Sequence, residues 1–217
     1  MPNNLEELLA RVPVAKGVRA DLVARLRAPD RHYHGVAHVL ALWQTHRRFS
    51  VGLPVRAEPW DTLIACAIAF HDAVYDARRQ DNEAASALLW RSARPDLPPK
   101  AVGWVEGTIL ATADHLGATR EPGMDEAAWA ARLWMLDLDL APLGEAPEVF
   151  RANTARLRRE YAHLLDADWE AGRLGFLRRL NAVPRLFRTE PLSAAFEQQA
   201  RANIAQELCG KPLGAVR

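Results

Sequence analysis

A chain of 217 residues, 49% hydrophobic and 25% charged, is long enough to bury a core without disulfide or metal staples, and its composition excludes a disordered or fibrous protein. Lys+Arg 28 against Asp+Glu 27 leaves a formal charge of +1, which excludes recruitment to nucleic acid or to an anionic membrane by overall charge. The two cysteines, Cys66 and Cys209, form neither a disulfide framework nor a zinc-ribbon spacing and point to a reducing compartment.

In chain order, the opening MPNNLEELLARVP lacks the basic patch, apolar run and cleavage site of a secretory signal. No later stretch approaches about 18 uninterrupted apolar residues, so a cytoplasmic protein without a membrane span is expected. Ala28-Pro29-Asp30 reads as a stop before a helix from about Val36 to Phe49, with Val39, Leu42, Trp43, His46 and Phe49 on one face. Trp60, Leu63, Ile64, Ala67, His71, Val74 and Tyr75 then keep helical period, predicting one helix that runs through His71. Asp81-Asn82 opens an Ala-rich helix ending near Ala93, and Pro98-Pro99 starts another that carries Val102, Val105, Ile109 and Thr112 and ends at Gly117. Asp125 caps a helix with the stripe Trp129, Leu133, Leu136, Leu140 and Leu143, closed by Gly144. Phe150 to Leu164, Trp169 to Leu180 and Leu192 to Leu208 complete the series. With no alternating pattern, no repeat and no linker, the expectation is an all-α, single-domain helical bundle over residues 1–217. Trp43, Trp60 and Trp129 fit core stripes, while Trp90, Trp104, Trp134 and Trp169 suit either core or interface and leave a homo-oligomer open.

Chemistry concentrates in five short stretches. Four of the seven histidines fall in Arg31-His32-Tyr33-His34-Gly35-Val36-Ala37-His38 and Phe70-His71-Asp72. His34 and His38 share a face if their helix begins early enough. His71 sits on an apolar stripe, a costly place for an imidazole without a partner or a metal. Asp72 adds a hard oxygen ligand, and Asp76, one turn on, places a second carboxylate on the same helix face. A lone His-Asp pair is common by chance, and His46 and His163, without such company, read as packed or surface histidines. Asp81, Asn82, Glu83 and Ser86 read first as a helix start; Thr112 to His115 read as a helix end with a capping imidazole. Asp137 and Asp139 lie about 200° apart on one helix, so they cannot both face one ion, and periodicity does not choose between them.

Taken together and in order, RHYHGVAH, FHDAVYD, DNEAASA, ILATADH and LDLDLAPLG resemble the HD superfamily of predicted metal-dependent phosphohydrolases. Arg158-Arg159-Glu160-Tyr161, Gly172-Arg173, Glu197 and Ala200-Arg201-Ala202-Asn203 extend the likeness over about residues 29 to 208, with the signature in about 29–145 and the carboxyl-terminal helices of about 148–208 completing the domain. The resemblance implies that His38, His71, Asp72 and Asp139, with Asp137 as second choice for the last, hold one divalent transition metal. A mixed nitrogen and oxygen ligand set suits Mn, Fe, Co, Ni or Zn. Asp72, Asp76 and Glu83 are the candidate catalytic carboxylates. Arg31, Tyr33, His34, Tyr75, Asn82 and His115 are the candidate substrate contacts, with Arg31 suited to a bidentate phosphate grip. The expected activity is hydrolysis of a phosphate ester or anhydride in a small molecule, a nucleotide among the candidates, by metal-activated water. A non-hydrolytic metal- or nucleotide-binding regulatory module is the alternative; a di-iron oxygenase follows it, disfavoured because His115 is the single histidine between the His-Asp pair and the last Asp. No nucleic-acid partner is expected.

Overall fold

The computed structural model describes residues 4–210; residues 1–3 and 211–217 of the expected domain lie outside that range. The first two helices, α1 (Asn4–Ala10) and α2 (Lys16–Leu26), lead into α3 (Val36–Phe49), α4 (Trp60–Phe70) and α5 (Asn82–Ser92). Then come α6 (Pro99–Ala111), α7 (Glu126–Leu140), α8 (Pro147–Glu160), α9 (Asp166–Ala182) and α10 (Glu190–Leu208), with 3-10 turns at 54–56, 112–114 and 141–144. Among the described residues there is no strand, and none of the helices is long and apolar enough to cross a membrane.

α4 is the axis of the molecule. Asp61, Leu63 and every residue from Ile64 to Phe70 are buried, as expected of a helix that is apolar all round, and α1, α3, α5, α6 and α7 pack about it. Asp125 caps α7 as its sequence predicts, accepting the Ala128 N–H at 2.7 Å. The buried face of α7 is broader than the expected stripe and only partly coincides with it. Leu136 and Leu140 of that stripe are buried, but Ala128, Ala131, Trp134, Met135 and Leu138 are buried too, the Trp134 indole N–H finding an acceptor in the core, while Leu133 and Leu143 are half-buried and Trp129 stays half-exposed beneath the Arg188 guanidinium.

The main correction falls on α4. The expected helix through Tyr75 ends at Phe70, and residues 71–81 form a looped segment. The Arg31 guanidinium takes the carbonyls of Asp72 (2.6 Å) and Ala73 (3.2 Å), which a continuing helix would need. The Asn82 side chain closes on the backbone of Asp76 at 3.0 Å in both directions, and the Ser86 hydroxyl does the same with Val74. The same kind of clamp explains the carboxyl-terminal pattern. Glu197 accepts the Leu186 and Phe187 N–H groups, Arg201 holds the carbonyls that end α9, and Asn203 ties down those of Leu143 and Glu145. Gly144 lets α10 cross the 141–144 turn, since a Cβ there would lie 2.6 Å from Phe196 backbone and side-chain atoms.

Candidate metal centre

α3 delivers His38 from its first turn, the end of α4 delivers His71, and the last turn of α7 delivers Asp139. Their ligand atoms all lie within 4.8 Å of one another. His38 Nε2 stands 3.2 Å from His71 Nε2 and 3.0 Å from Asp139 Oδ1; His71 Nε2 is 3.5 Å from the same oxygen. Asp72 Oδ2 joins from the loop at 3.0 Å from His71 Nε2 and 3.6 Å from His38 Nε2. Asp137 points elsewhere. It accepts the N–H groups of Arg188 and Thr189 and the Thr189 hydroxyl, so the two aspartates of α7 divide as their opposite faces require.

The donor set fits a divalent transition metal on three counts. Three of the separations, 3.0, 3.0 and 3.2 Å, match neighbouring ligands about 2.1 Å from one ion, which sit about 3.0–3.4 Å apart, and the other two, 3.5 and 3.6 Å, lie just beyond. The His71 Nδ1–H donates to the Ile68 carbonyl at 3.0 Å, leaving Nε2 as the ligating atom in the manner of metal-bound histidines. Two carboxylates meet here, and among the described residues no guanidinium or ammonium pairs with either. Burial works to lower the His71 imidazole, yet Asp72 and Asp139 hold it well above its ordinary value. Burial likewise works to raise Asp139, but His71 and the hydrogen bonds from His115 and His38 hold it well below the carboxylate range; Asp72 is lowered in the same manner. The pocket draws a positive charge to Nε2, and a proton or a metal can supply it. His38 Nδ1 is buried without a hydrogen-bond partner.

His115 stands beside the cluster, its Nε2 2.8 Å from Asp139 Oδ2. Its loop hangs from Arg188, whose guanidinium holds the carbonyls of His115 (2.5 Å) and Ala118 (2.9 Å). His34 precedes α3 and does not share a helix face with His38. Its Nδ1–H instead donates to Glu160 Oε2 at 2.6 Å, its ring stacks on Tyr75 at 4.0 Å, and Glu160 Oε1 accepts the Tyr33 and His34 N–H groups. These bonds and the His34 charge hold Glu160 below its usual range against the upward push of burial. Tyr33 packs its ring 5.0 Å from that of His38.

Other expected contacts serve the loop instead. The Arg31 guanidinium is committed to three carbonyls, Asn82 clamps Asp76, and the Asp76 carboxylate is half-exposed and accepts the Arg78 N–H. Asp76 therefore does not share a helix face with His71. Neither it nor Glu83, in the first turn of α5, enters the cluster or the cavity beside it.

That cavity, about 720 Å³, reaches the cluster at Asp139 and His115 and runs outward between α8 and α9, past Leu157, Trp169, Arg173 and Phe176. Glu160, Gly172 and Arg173 belong to sequence patterns already noted but carried no assigned role; Arg188 has no local signal at all.

No known protein family, curated protein or solved structure matches the chain. What the cluster can do chemically follows from its own donor atoms and from the space they face.

Proposed function

We propose that the protein is a metal-dependent phosphohydrolase of the HD type, acting on an ester or anhydride of a small organic phosphate. The observation that supports this reading is the meeting of His38, His71 and Asp139 in one group, with Asp72 3.0 Å from His71, beside an open cavity that Asp139 lines. A divalent metal held there supplies Lewis-acid charge for a phosphoryl oxygen and lowers the pKa of water toward about 7. Asp139 orients His115 through Oδ2, so that this half-buried imidazole faces the cavity where a phosphoryl group enters and can donate to one of its oxygens. His34, fixed through Nδ1 by Glu160, also lines the cavity and leaves Nε2 for the substrate. Asp72 stands 3.0 Å from His71 Nε2 as a ligand carboxylate, while Asp76 and Glu83 lie outside the cluster and are not placed to take a proton from water there.

The test is metal analysis of the purified chain followed by a screen of phosphorylated metabolites with Mn2+. About one metal per chain and turnover of one phosphate class are expected. A metal-loaded protein inert toward every phosphate class overturns the reading.

A further inference from the structure

Resting on that reading, we infer that the substrate is an organic phosphate whose non-phosphate part is a flat, largely apolar group, seated in the chamber between α8 and α9. The chamber touches the cluster at Asp139, beside His115, so a molecule whose phosphate reaches those two residues can lay the rest of itself along this wall. At about 720 Å³ it has the size of a small-molecule pocket and far exceeds what a phosphate alone fills. Leu143, Phe150, Leu157, Trp169 and Phe176 supply apolar and aromatic surface along it.

Two further observations narrow the class. Gly172 lies in the interior of α9, where glycine weakens a helix relative to alanine. A Cβ built on it meets no atom within 4 Å, so no neighbour demands a glycine there. Its effect is to leave the chamber wall bare. The charge of the wall is also largely spent. The Arg173 guanidinium is paired with both Glu207 oxygens (2.9 and 3.2 Å) and with the Thr154 hydroxyl, which leaves the exposed Arg179, over the Phe176 ring, and the Asp168 carboxylate to offset each other in net charge. Such a wall suits one phosphate on an apolar body better than a polyphosphate chain.

The experiment is calorimetric titration of the full-length, Mn2+-loaded chain with benzylphosphonate and methylphosphonate. Burying the ring favours benzylphosphonate by at least about tenfold. Trp169→Ala and Gly172→Leu should each bring the ratio to within about threefold. Gly172→Leu raises helix propensity and its Cβ meets no neighbour, so it separates filling of the chamber from loss of fold. Gly175→Leu is the control: a Cβ there is equally free, but the position does not line the chamber, and the ratio should persist. Equal affinity of the wild type for the two phosphonates, or a ratio untouched by both chamber variants, overturns the inference. Failure of the underlying reading looks different: neither phosphonate then binds more tightly with Mn2+ than without it, and both claims fall.

Discussion

α3, α4 and α7 bury two histidine–carboxylate groups, one at each end of the same helix trio. At the first, His46 Nδ1 accepts the Trp134 indole N–H at 2.9 Å, which forces the ring proton onto Nε2, where it donates to Asp61 at 2.9 Å. Arg56 at 2.6 Å and Arg11 complete the Asp61 carboxylate. Each polar atom of the His46 ring has a partner, and the carboxylate has its cations. At the second, two Nε2 atoms face each other across 3.2 Å, carboxylates crowd both, His38 Nδ1 has no partner, and no guanidinium pairs with Asp72 or Asp139 among the described residues. The same residue types thus make a strut where each is satisfied locally and, at the second place, a group that could hold a cation.

The sharpest way to break this comparison is to remove one imidazole from each group. His71→Ala should take bound metal from about one per chain to none, measured by elemental analysis. His46→Ala should keep the metal and lose about 2–4 kcal/mol of stability in chemical denaturation, because it strands the buried Trp134 N–H, removes one partner of the Asp61 carboxylate and leaves a cavity. Metal lost from the His46 variant and kept by the other would invert the assignment. Next in size, metal at about 100 times its dissociation constant should raise the unfolding free energy by about 2.7 kcal/mol in thermal melts. Asp139→Asn should shrink that increment and Asp61→Asn should leave it intact. Asp137→Ala should cost about 1–3 kcal/mol, since it leaves two backbone N–H groups without their acceptor, yet spare the metal stoichiometry.

The smallest effect is a pH response outside both groups. Burial pushes Glu197 up, but the N–H groups of Phe187 and Leu186 and the Arg201 guanidinium prevail and hold it below the usual glutamate value. Its stabilisation is therefore complete above that usual value and is lost as pH falls through the lowered one. Glu197→Gln should flatten the acid side of the melting-temperature profile; an unchanged slope would remove Glu197 from the acid response.

Local rules carried much of this into the sequence. Helical period and cap residues place α3, the start of α5, Pro99 and the Asp125 cap within a residue or so of the structure. Helical geometry also shows that Asp137 and Asp139 cannot face one ion, though not which of them joins the histidines. What stayed hidden is long-range. Val74 and Tyr75 hold helical spacing, but Arg31, 41 positions before Asp72, removes the carbonyls that α4 would need to continue. Glu160 meets His34 across 126 positions and Arg188 meets His115 across 73, and neither pairing leaves a periodic trace. The chamber arises from side chains of α8 and α9 that local patterning reads only as amphipathic helices.

The tether from Arg188 to the His115 loop bears on the order in which the protein is made. All four candidate ligands lie at or before Asp139, whereas the turn at 188–189 that Asp137 anchors is about 50 residues further along. During synthesis the nascent chain can gather its metal-binding groups before Arg188 exists to hold His115 and before α9 walls the chamber. A bound ion would then mark an early stage of maturation, and the arrival of the last two helices would convert an ion-holding bundle into a selective pocket.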